Sequence, residues 1–230
     1  MAKKHAQHSG WLKRTLLVLG LIIGLALVFN EPIKLFVVDH IGQQTMQKID
    51  KNAVKKNQKQ KGNFDFKAVK PLGVSQVAKA ATSATYKNAI GKIAVPAVNM
   101  KLPVLLGLSN ENLSTGAGTM KADQQMGSGN YALAGHYMTN KGILFSPLKN
   151  AAVGQKIYLT DMSKVYTYDI TTKTTVDETQ VQWINDVAGK SLVTLITCAS
   201  ATEGETNRIV VQGTLSDTQP ANKTTLAVFN

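Results

Sequence analysis

Cysteine is nearly absent from this 230-residue chain, in which Cys198 is the only one. A single cysteine excludes an internal disulfide, although small exported domains that keep cysteines usually pair them. The sequence also has no set of cysteines and histidines that would support a zinc site. A solitary thiol is normally a small buried hydrophobic residue, so its position in the fold decides whether it has a chemical role.

Arginine is almost as scarce. The 26 basic residues include only Arg14 and Arg208, and the formal net charge is +12. This charge is uneven, because residues 1–63 contain eleven Lys and Arg against three acids, which leaves fifteen against eleven for residues 64–230. The basic segment has no interleaved aromatic residues and no DNA-binding motif, so the sequence predicts no nucleic-acid partner. Proximity to a membrane explains the excess better.

Long apolar runs are missing except near the N-terminus, where Thr15 to Phe29 carry no charge. As a helix these residues span about 22 Å, which is less than the roughly 30 Å hydrocarbon core. Continuation past Pro32 and snorkelling of Lys13 and Arg14 would close that gap. The sequence therefore predicts one N-terminal transmembrane helix, with a cleaved signal peptide as the alternative.

The predicted anchor covers residues 15–38, and no small-residue cleavage site follows Phe29, which favours an uncleaved helix. Because basic residues precede the span, residues 1–14 are expected in the cytoplasm and the rest of the chain outside the cell. Residues 39–70 are rich in Lys, Gln and Asn and are predicted to be a solvated stalk. Residues 71–230 then form the functional domain.

Short β-type runs alternate with turn residues through most of this domain. Their number, with no strand-helix-strand repeat, predicts an all-β fold that is an antiparallel barrel or sandwich. One short helix is expected over residues 71–84, with Ser75 as its N-cap. The polar segment 172–190 is predicted to be a long loop that builds a binding wall. The predicted strands are residues 90–95, 102–106, 130–136, 156–160, 164–171, 191–198 and 208–215.

Three rare side chains lie at strand ends. Residues 64–230 contain one cysteine, one histidine and one arginine, which are Cys198, His136 and Arg208. If strands 191–198 and 208–215 pair antiparallel, Cys198 and Arg208 face each other at one rim of the sheet. A thiol can attack an amide carbonyl, an imidazole can exchange protons, and a guanidinium can hold the developing oxyanion. Arginine suits the last task better than lysine because its planar donor fork always keeps its charge.

Each of the three also has an ordinary explanation, as a structural histidine, a surface charge and a core cysteine. The order of His136 before Cys198 is opposite to that of papain-like peptidases. No acidic residue is clearly placed to orient His136. The residues alone therefore leave catalysis and a structural role both open.

The segment "TLITC" resembles the TLxTC signature of the sortases, the membrane-anchored cysteine transpeptidases of Gram-positive bacteria. All four fixed positions match, at Thr194, Leu195, Thr197 and Cys198. "NYALAGHYM" is similar to the histidine strand of that family, and "RIVVQG" falls where its arginine strand belongs. The segments "IAVPAVNMKLPVLLG", "GAGTM" and "LFSPL" also look like class A sortase segments, so the resemblance covers roughly residues 86–216.

The resemblance implies a closed antiparallel eight-stranded sortase-type barrel with short helices, preceded by one transmembrane helix. It implies cleavage of LPxTG-type sorting signals between Thr and Gly through a thioacyl-enzyme. Cys198 would be the nucleophile, His136 the general acid and base, and Arg208 the group that stabilises the oxyanion or the bound peptide. Ile196 and Thr197 would line the peptide groove.

The implied partners are LPxTG-bearing surface proteins, a peptidoglycan precursor amine of the lipid II type, and the membrane through the N-terminal helix. The C-terminal "TLAVFN" has no second span, which favours class A over the pilin-polymerising type. No cofactor is expected. Some class A members bind calcium through an acidic cluster, but the acids here are scattered among lysines, which makes calcium dependence doubtful: Glu111, Asp123, Asp177, Glu178 and Asp186.

Two other functions compete with a class A sortase. One is a non-catalytic, membrane-tethered β-domain that binds wall or protein partners, with Cys198 as a buried residue. The other is a different cysteine acyltransferase or an L,D-transpeptidase-like wall enzyme, whose motif would differ from "TLITC".

Overall fold

Two helices form the N-terminal part of the protein. A computed structural model describes residues 7–139 and 142–230 and has helix α1 at Gln7–Val28 and helix α2 at Asn30–Gln47. Apolar side chains along α1, such as Trp11 and Leu17, are exposed. Over the described residues no single helix is long and apolar enough to cross a membrane. The bent pair Gly10–Leu25 and Asn30–Gln47 meets that requirement only when taken together.

The chain divides into two units, one ending at Phe36 and the other covering Val37–Asn230. Residues 1–6 of the predicted cytoplasmic segment lie outside the described residues. Much of the predicted stalk is folded, because helix α3 at Lys51–Asn57 belongs to the second unit and buries Val54. The amide of Asn57 donates hydrogen bonds to the carbonyl oxygens of Tyr86 (3.0 Å) and Ala89 (2.8 Å). The assignment of residues 39–70 as a spacer between membrane and domain stays a prediction.

The second unit is dominated by β-strands. The predicted helix over 71–84 is present as α4, Val74–Thr82, and its N-cap is Gly73 rather than Ser75. The remaining helical segments are α5 at Asn110–Leu113 and short 3-10 turns that include Phe66–Ala68, Ser146–Asn150 and Val181–Ile184. Helix α4 is Val74–Thr82, and the strands are β1 Ala89–Val95, β2 Met100–Leu105, β3 Ala117–Thr119, β4 Asn130–Ala134, β5 Lys156–Thr160, β6 Lys164–Asp177, β7 Leu192–Cys198 and β8 Asn207–Pro220.

These strands close into a barrel in the order β1-β2-β3-β4-β7-β8-β6-β5. Within the described ranges, neighbouring strands pair antiparallel except β2 with β3 and β4 with β7, which pair parallel. Parallel partners need a crossover connection, and the segment 106–116 with α5 supplies one between β2 and β3. The predicted closed eight-stranded β-barrel is confirmed, with two parallel pairings in place of a uniformly antiparallel sheet.

Large apolar side chains fill the barrel. Ile93, Leu133, Leu159 and Leu195 have no exposed surface, and burying each of them contributes roughly 1.5–3 kcal/mol. Tyr168 is equally buried, and its hydroxyl accepts a hydrogen bond from the backbone N–H of Gly127 at 2.9 Å. A packed interior of this kind fixes the ends of the strands, which is where the candidate site lies.

Candidate active site

Cys198 and Arg208 face each other across the last two strands. Strand β7 ends at Cys198, and the antiparallel register with β8 pairs Cys198 directly with Arg208. Both side chains are half-buried, so they are accessible from the rim of the barrel. The juxtaposition predicted from the sequence is therefore present.

His136 reaches the same rim through the parallel pairing of β4 with β7. Ala134 pairs with Ile196, and the N–H of Gly135 donates to the carbonyl oxygen of Ile196 at 3.1 Å. The strand ends at Ala134 instead of at His136 as predicted, and the next residue, Gly135, packs against the ring of Phe145. A Cβ added at Gly135 would lie 2.6 Å from that ring, so only glycine fits at this position.

One cavity collects all five residues singled out from the sequence. It has a volume of about 620 Å³, and Cys198, His136, Arg208, Ile196 and Thr197 all line it. Its walls also include apolar residues that were not singled out from the sequence, because no local pattern marks them as part of a site: Phe66, Val69, Leu108, Leu113 and Met120. The predicted wall segment 172–190 contributes Val176, Asp177, Glu178, Gln180, Val181 and Ile184, although its first part continues strand β6.

The guanidinium of Arg208 is held from two sides. Its Nη1 donates to the carbonyl oxygens of Glu205 (2.6 Å) and Asn207 (3.1 Å). Its Nη2 forms an ion pair with the carboxylate of Glu178, which follows the end of β6. A planar fork can satisfy these directions at once, whereas an ammonium group cannot. Glu178 was noted in the sequence only as a possible calcium ligand, so its partnership with Arg208 was missed.

The thiol and the imidazole both favour their neutral forms. Burial lowers the pKa of His136 to about 4, and its Nε2 is buried without a hydrogen-bond partner among the described residues. Burial raises the pKa of Cys198, and the carboxylates of Glu205 and Glu178 act in the same direction while Arg208 opposes them. At neutral pH the cavity therefore holds an uncharged thiol and an uncharged imidazole beside a fixed positive charge.

The residues before the cysteine continue the cavity wall. Ile196 is half-buried and lines the cavity, and Thr197 is buried with a hydroxyl that has no partner within the described part of the chain. A buried hydroxyl costs free energy until it forms a hydrogen bond. The predicted role of Thr197 in binding a peptide stays a prediction.

Acidic side chains near the groove are engaged by protein groups. Asp186 accepts from Lys121 Nζ at 2.6 Å and from the N–H of Asn130 at 2.8 Å, and Asp177 accepts from Thr179. Among residues 7–139 and 142–230, no group of three or more His, Cys, Asp or Glu is arranged to hold a metal ion. The expectation that calcium dependence is doubtful stays a prediction.

Comparisons with known proteins agree with this geometry. The family model described as the sortase domain matches residues 93–216. Sortase A of Streptococcus agalactiae is 43% identical over 209 residues, which cover 88% of this chain and 84% of the relative. The chain belongs to the sortase family. Sortase A of Listeria monocytogenes is 40% identical over 213 residues, which are 92% of this chain and 95% of the relative.

A solved structure extends the match to three dimensions. The crystal structure of Listeria monocytogenes sortase A superposes with a TM-score of 0.60 at 42% identity, over 62% of this chain and 97% of that one. The protein is thus a class A sortase, a cysteine transpeptidase that acts on LPxTG-type sorting signals. The sequence-based assignment of family, fold and activity is confirmed, and the enzyme is favoured over a tethered binding domain or a different wall acyltransferase.

Proposed function

We propose that Cys198, His136 and Arg208 carry the two steps of this transpeptidation. The sulfur of Cys198 attacks the carbonyl carbon of the signal threonine, and its proton passes to His136. The Thr–Gly bond then breaks, and His136 gives the proton to the departing glycine amine, which leaves a thioester on Cys198. In the second step His136 takes a proton from the incoming amine as that amine attacks the thioester, and the proton returns to the released thiol.

The single observation that carries this proposal is the register of β7 and β8. Pairing of Cys198 with Arg208 brings a fixed cation next to the carbon that the sulfur attacks. Negative charge grows on the carbonyl oxygen as the tetrahedral intermediate forms, so a donor positioned beforehand lowers the barrier. Because Arg208 is already held by Glu178 and by two carbonyl groups, it needs little reorganisation when the oxyanion appears.

Neutral reactants suit this sequence of proton transfers. With the pKa of His136 lowered to about 4 and the pKa of Cys198 raised, the thiolate–imidazolium pair is a minor form at pH 7. A neutral imidazole is the form that can accept the thiol proton, so attack and deprotonation are coupled. The nearby charge of Arg208 supports the thiolate once it forms.

For the peptide, we propose that Ile196 and Thr197 line the binding groove. The apolar side chains of Val69, Leu113 and Ile184 offer a surface for the apolar residues of the sorting signal. The acyl acceptor is proposed to be the amine of a peptidoglycan precursor of the lipid II type, and the donors are LPxTG-bearing surface proteins. The enzyme is proposed to work without a cofactor.

Class A sortases are membrane-anchored in general. For this chain we propose one N-terminal span over residues 15–38, with residues 1–14 in the cytoplasm and the catalytic domain outside the cell. The exposed apolar side chains of α1 and the excess of basic residues before residue 64 support this topology.

The proposal can be tested with the full-length protein in detergent, a quenched LPETG peptide and an amine acceptor. The wild-type enzyme should cleave at Thr–Gly and form the amide with the acceptor, and Cys198→Ala should abolish both. The matched control is Thr218→Ala, which changes an exposed residue at the far end of the strand that carries Arg208. Because Cys198 is the only thiol, a mass increase of one acyl group identifies the intermediate. An active Cys198→Ala protein would contradict the mechanism.

A further inference from the structure

A second cavity of about 650 Å³ lies within the unit Val37–Asn230. None of the residues that line it lines the catalytic cavity. Its walls come from α2, β1, β2 and the segment around Ile143 and Leu144. Its volume is in the range of small-molecule sites, and the proposed reaction does not use it.

The lining combines apolar side chains with two lysines. Val38, Met46, Leu102 and Phe229 are among the apolar residues, and the lysines are Lys92 and Lys101. Asp39 also lines the cavity, and its carboxylate accepts a hydrogen bond from Gln43 Nε2 at 2.7 Å. The charged side chains of this lining are thus two lysines and one carboxylate, so an anion with an apolar part would match this surface.

Lys92 is the residue that most needs a partner. It lies on β1 next to fully buried Ile93, is itself half-buried, and burial lowers the pKa of its ammonium group. Over the described part of the chain, this ammonium makes no hydrogen bond or ion pair with another residue. A half-buried cation without a partner costs free energy, and a bound anion removes that cost.

Lys101 stands beside it with one bond already made, because its Nζ donates to a main-chain oxygen of Asn230. An ammonium group has three donors, so two remain for a ligand. Lys92 therefore offers a ligand an ammonium group that has no partner among the described residues. Lys101 offers the two N–H donors that its bond to Asn230 does not use. Lys101 pairs with Ala94, two residues along β1 from Lys92, so the two lysines lie on the same face of the sheet, where both can contact the oxygens of one phosphate.

The chain path indicates the source of that phosphate. Val38 and Asp39 line the cavity and follow Val28, the last residue of α1, by ten and eleven positions. Ten residues reach no further than about 35 Å even when extended. The span proposed above ends at Val38, so the lining residues of α2 are covalently held within reach of lipid headgroups.

We propose that this cavity binds the phosphate of an anionic lipid headgroup, with Lys92 as its principal cation, Lys101 as a second donor and the apolar wall against the glycerol and first methylenes. The site is separate from the catalytic cavity and adds a lipid ligand to the enzyme. That the ligand comes from the membrane depends on the topology proposed above. That the site prefers a phosphate anion depends only on the cavity.

The test uses the full-length protein in a non-ionic detergent and three probes: dihexanoyl phosphatidylglycerol, dihexanoyl phosphatidylcholine and inorganic phosphate. Acylation of individual lysines by acetic anhydride is followed by mass spectrometry with and without each probe. Phosphatidylglycerol should slow the acylation of Lys92 about tenfold at saturation, with little effect on exposed Lys87. Titration calorimetry should give an affinity for phosphatidylglycerol at least about tenfold above that for phosphatidylcholine.

Two variants test whether Lys92 binds the lipid or only stabilises the fold. Lys92→Met keeps most of the length of the side chain and removes the charge, so it should weaken phosphatidylglycerol binding about tenfold. Lys87→Met, outside the cavity, should bind as the wild type does. Thermal unfolding checks that both variants are folded, and Lys92→Gln repeats the test with a polar residue.

Each outcome has a defined meaning. Equal binding of both lipids, or unchanged binding by Lys92→Met, overturns the proposal, as does failure of all three probes to protect Lys92. Protection by inorganic phosphate as strong as that by phosphatidylglycerol overturns the lipid source and leaves a phosphate site. Cleavage of the sorting peptide is measured in the same samples and should be unchanged in Lys92→Met, so loss of the proposed catalytic function would be recognised separately.

Discussion

Arg208 shows how a single residue is fitted to its position. The chain uses lysine for nearly every other positive charge, and here it uses a guanidinium with one nitrogen on two carbonyl oxygens and the other on Glu178. The same group lies opposite the thiol, so its direction matters as much as its charge. Lysine would supply the charge on a flexible stem without fixing that direction.

We expect Arg208→Lys to reduce kcat/KM for the sorting peptide about 10²- to 10³-fold, which is the effect of losing one well-placed oxyanion donor. Steady-state cleavage of the quenched peptide measures this. The matched control is Arg14→Lys, which alters the other arginine of the chain, outside the catalytic unit. Wild-type rates in Arg208→Lys would mean that charge alone is sufficient.

The thiol pKa can be measured directly because no other cysteine interferes. Iodoacetamide reacts with the thiolate, so its rate rises as pH passes through the pKa. Since burial raises the pKa of Cys198, half-maximal alkylation should occur at a higher pH than for an exposed cysteine in a short peptide measured in the same way.

Glu178 contributes to that raised pKa, so Glu178→Gln should move the midpoint of alkylation to lower pH. Glu203→Gln, which changes an exposed carboxylate in the same β7–β8 connection, should leave the midpoint where it is. A wild-type midpoint at or below pH 8 would show that the thiol is already activated in the resting enzyme.

At the scale of elements, the sequence predicted the strands that have continuous apolar runs and missed those that do not. Strands β5 and β7 match their predicted ranges almost residue for residue. Strand β3 has only three residues, Ala117 to Thr119, and its small side chains give no β-type pattern. Strand β6 was predicted to end at 171 but continues to Asp177, because its last residues alternate between half-buried and exposed and read as a polar loop.

The candidate site, like the strands, could be predicted from the sequence only in part. Cys198, His136 and Arg208 are unique residue types in the domain, and their uniqueness is visible in the sequence. Val69 and Ile184 are ordinary apolar residues, and only the closed barrel brings them to the same cavity. Pairing of β4 with β7 was equally invisible, because a parallel partner about sixty residues away leaves no local pattern.

The wall of the cavity is tied to the barrel through Asn130 at the start of β4. Its side-chain oxygen accepts from Thr194 Oγ1 at 2.7 Å, and its Nδ2 donates to the carbonyl oxygens of Trp183 (2.8 Å) and Asn185 (3.0 Å). The tied segment carries Ile184, which lines the cavity. The network therefore positions a groove residue from inside the fold.

We expect Asn130→Ala to raise KM for the sorting peptide more than it lowers kcat, since the groove wall loosens while Cys198 and Arg208 stay paired. It should also destabilise the protein by about 1–3 kcal/mol, because two carbonyls and a hydroxyl lose their partner. Peptide kinetics and urea unfolding measure the two effects. Asn185→Ala, which removes an exposed side chain of the same segment, should change neither.

At the scale of the whole molecule, the boundary suggested by composition differs from the boundary of the folded unit. The basic, polar stretch of residues 39–63 looks uniform in the sequence, yet Ile49 and Val54 form an apolar cluster with Ala89 of β1. Asn57 adds two hydrogen bonds to the chain around that strand. A segment rich in lysine can still be part of a folded unit when one of its faces is apolar.

Asn57→Ala in the full-length protein should lower the free energy of unfolding by about 1–3 kcal/mol, because the carbonyls of Tyr86 and Ala89 lose their donor. Asn52→Ala, on the exposed side of the same short helix, is the control and should have little effect. Urea denaturation of both variants gives the comparison. Equal stabilities would show that α3 does not contribute to the fold.

The parallel pairing of β4 with β7 determines when the site can form during folding. The histidine and the cysteine approach each other only when two strands about sixty residues apart in the chain come together, so contacts of long range must form first. On the roles proposed above, a nascent or partly translocated chain carries a thiol with no imidazole to accept its proton. On the same proposal, the enzyme cannot cleave a sorting signal until its own barrel has closed.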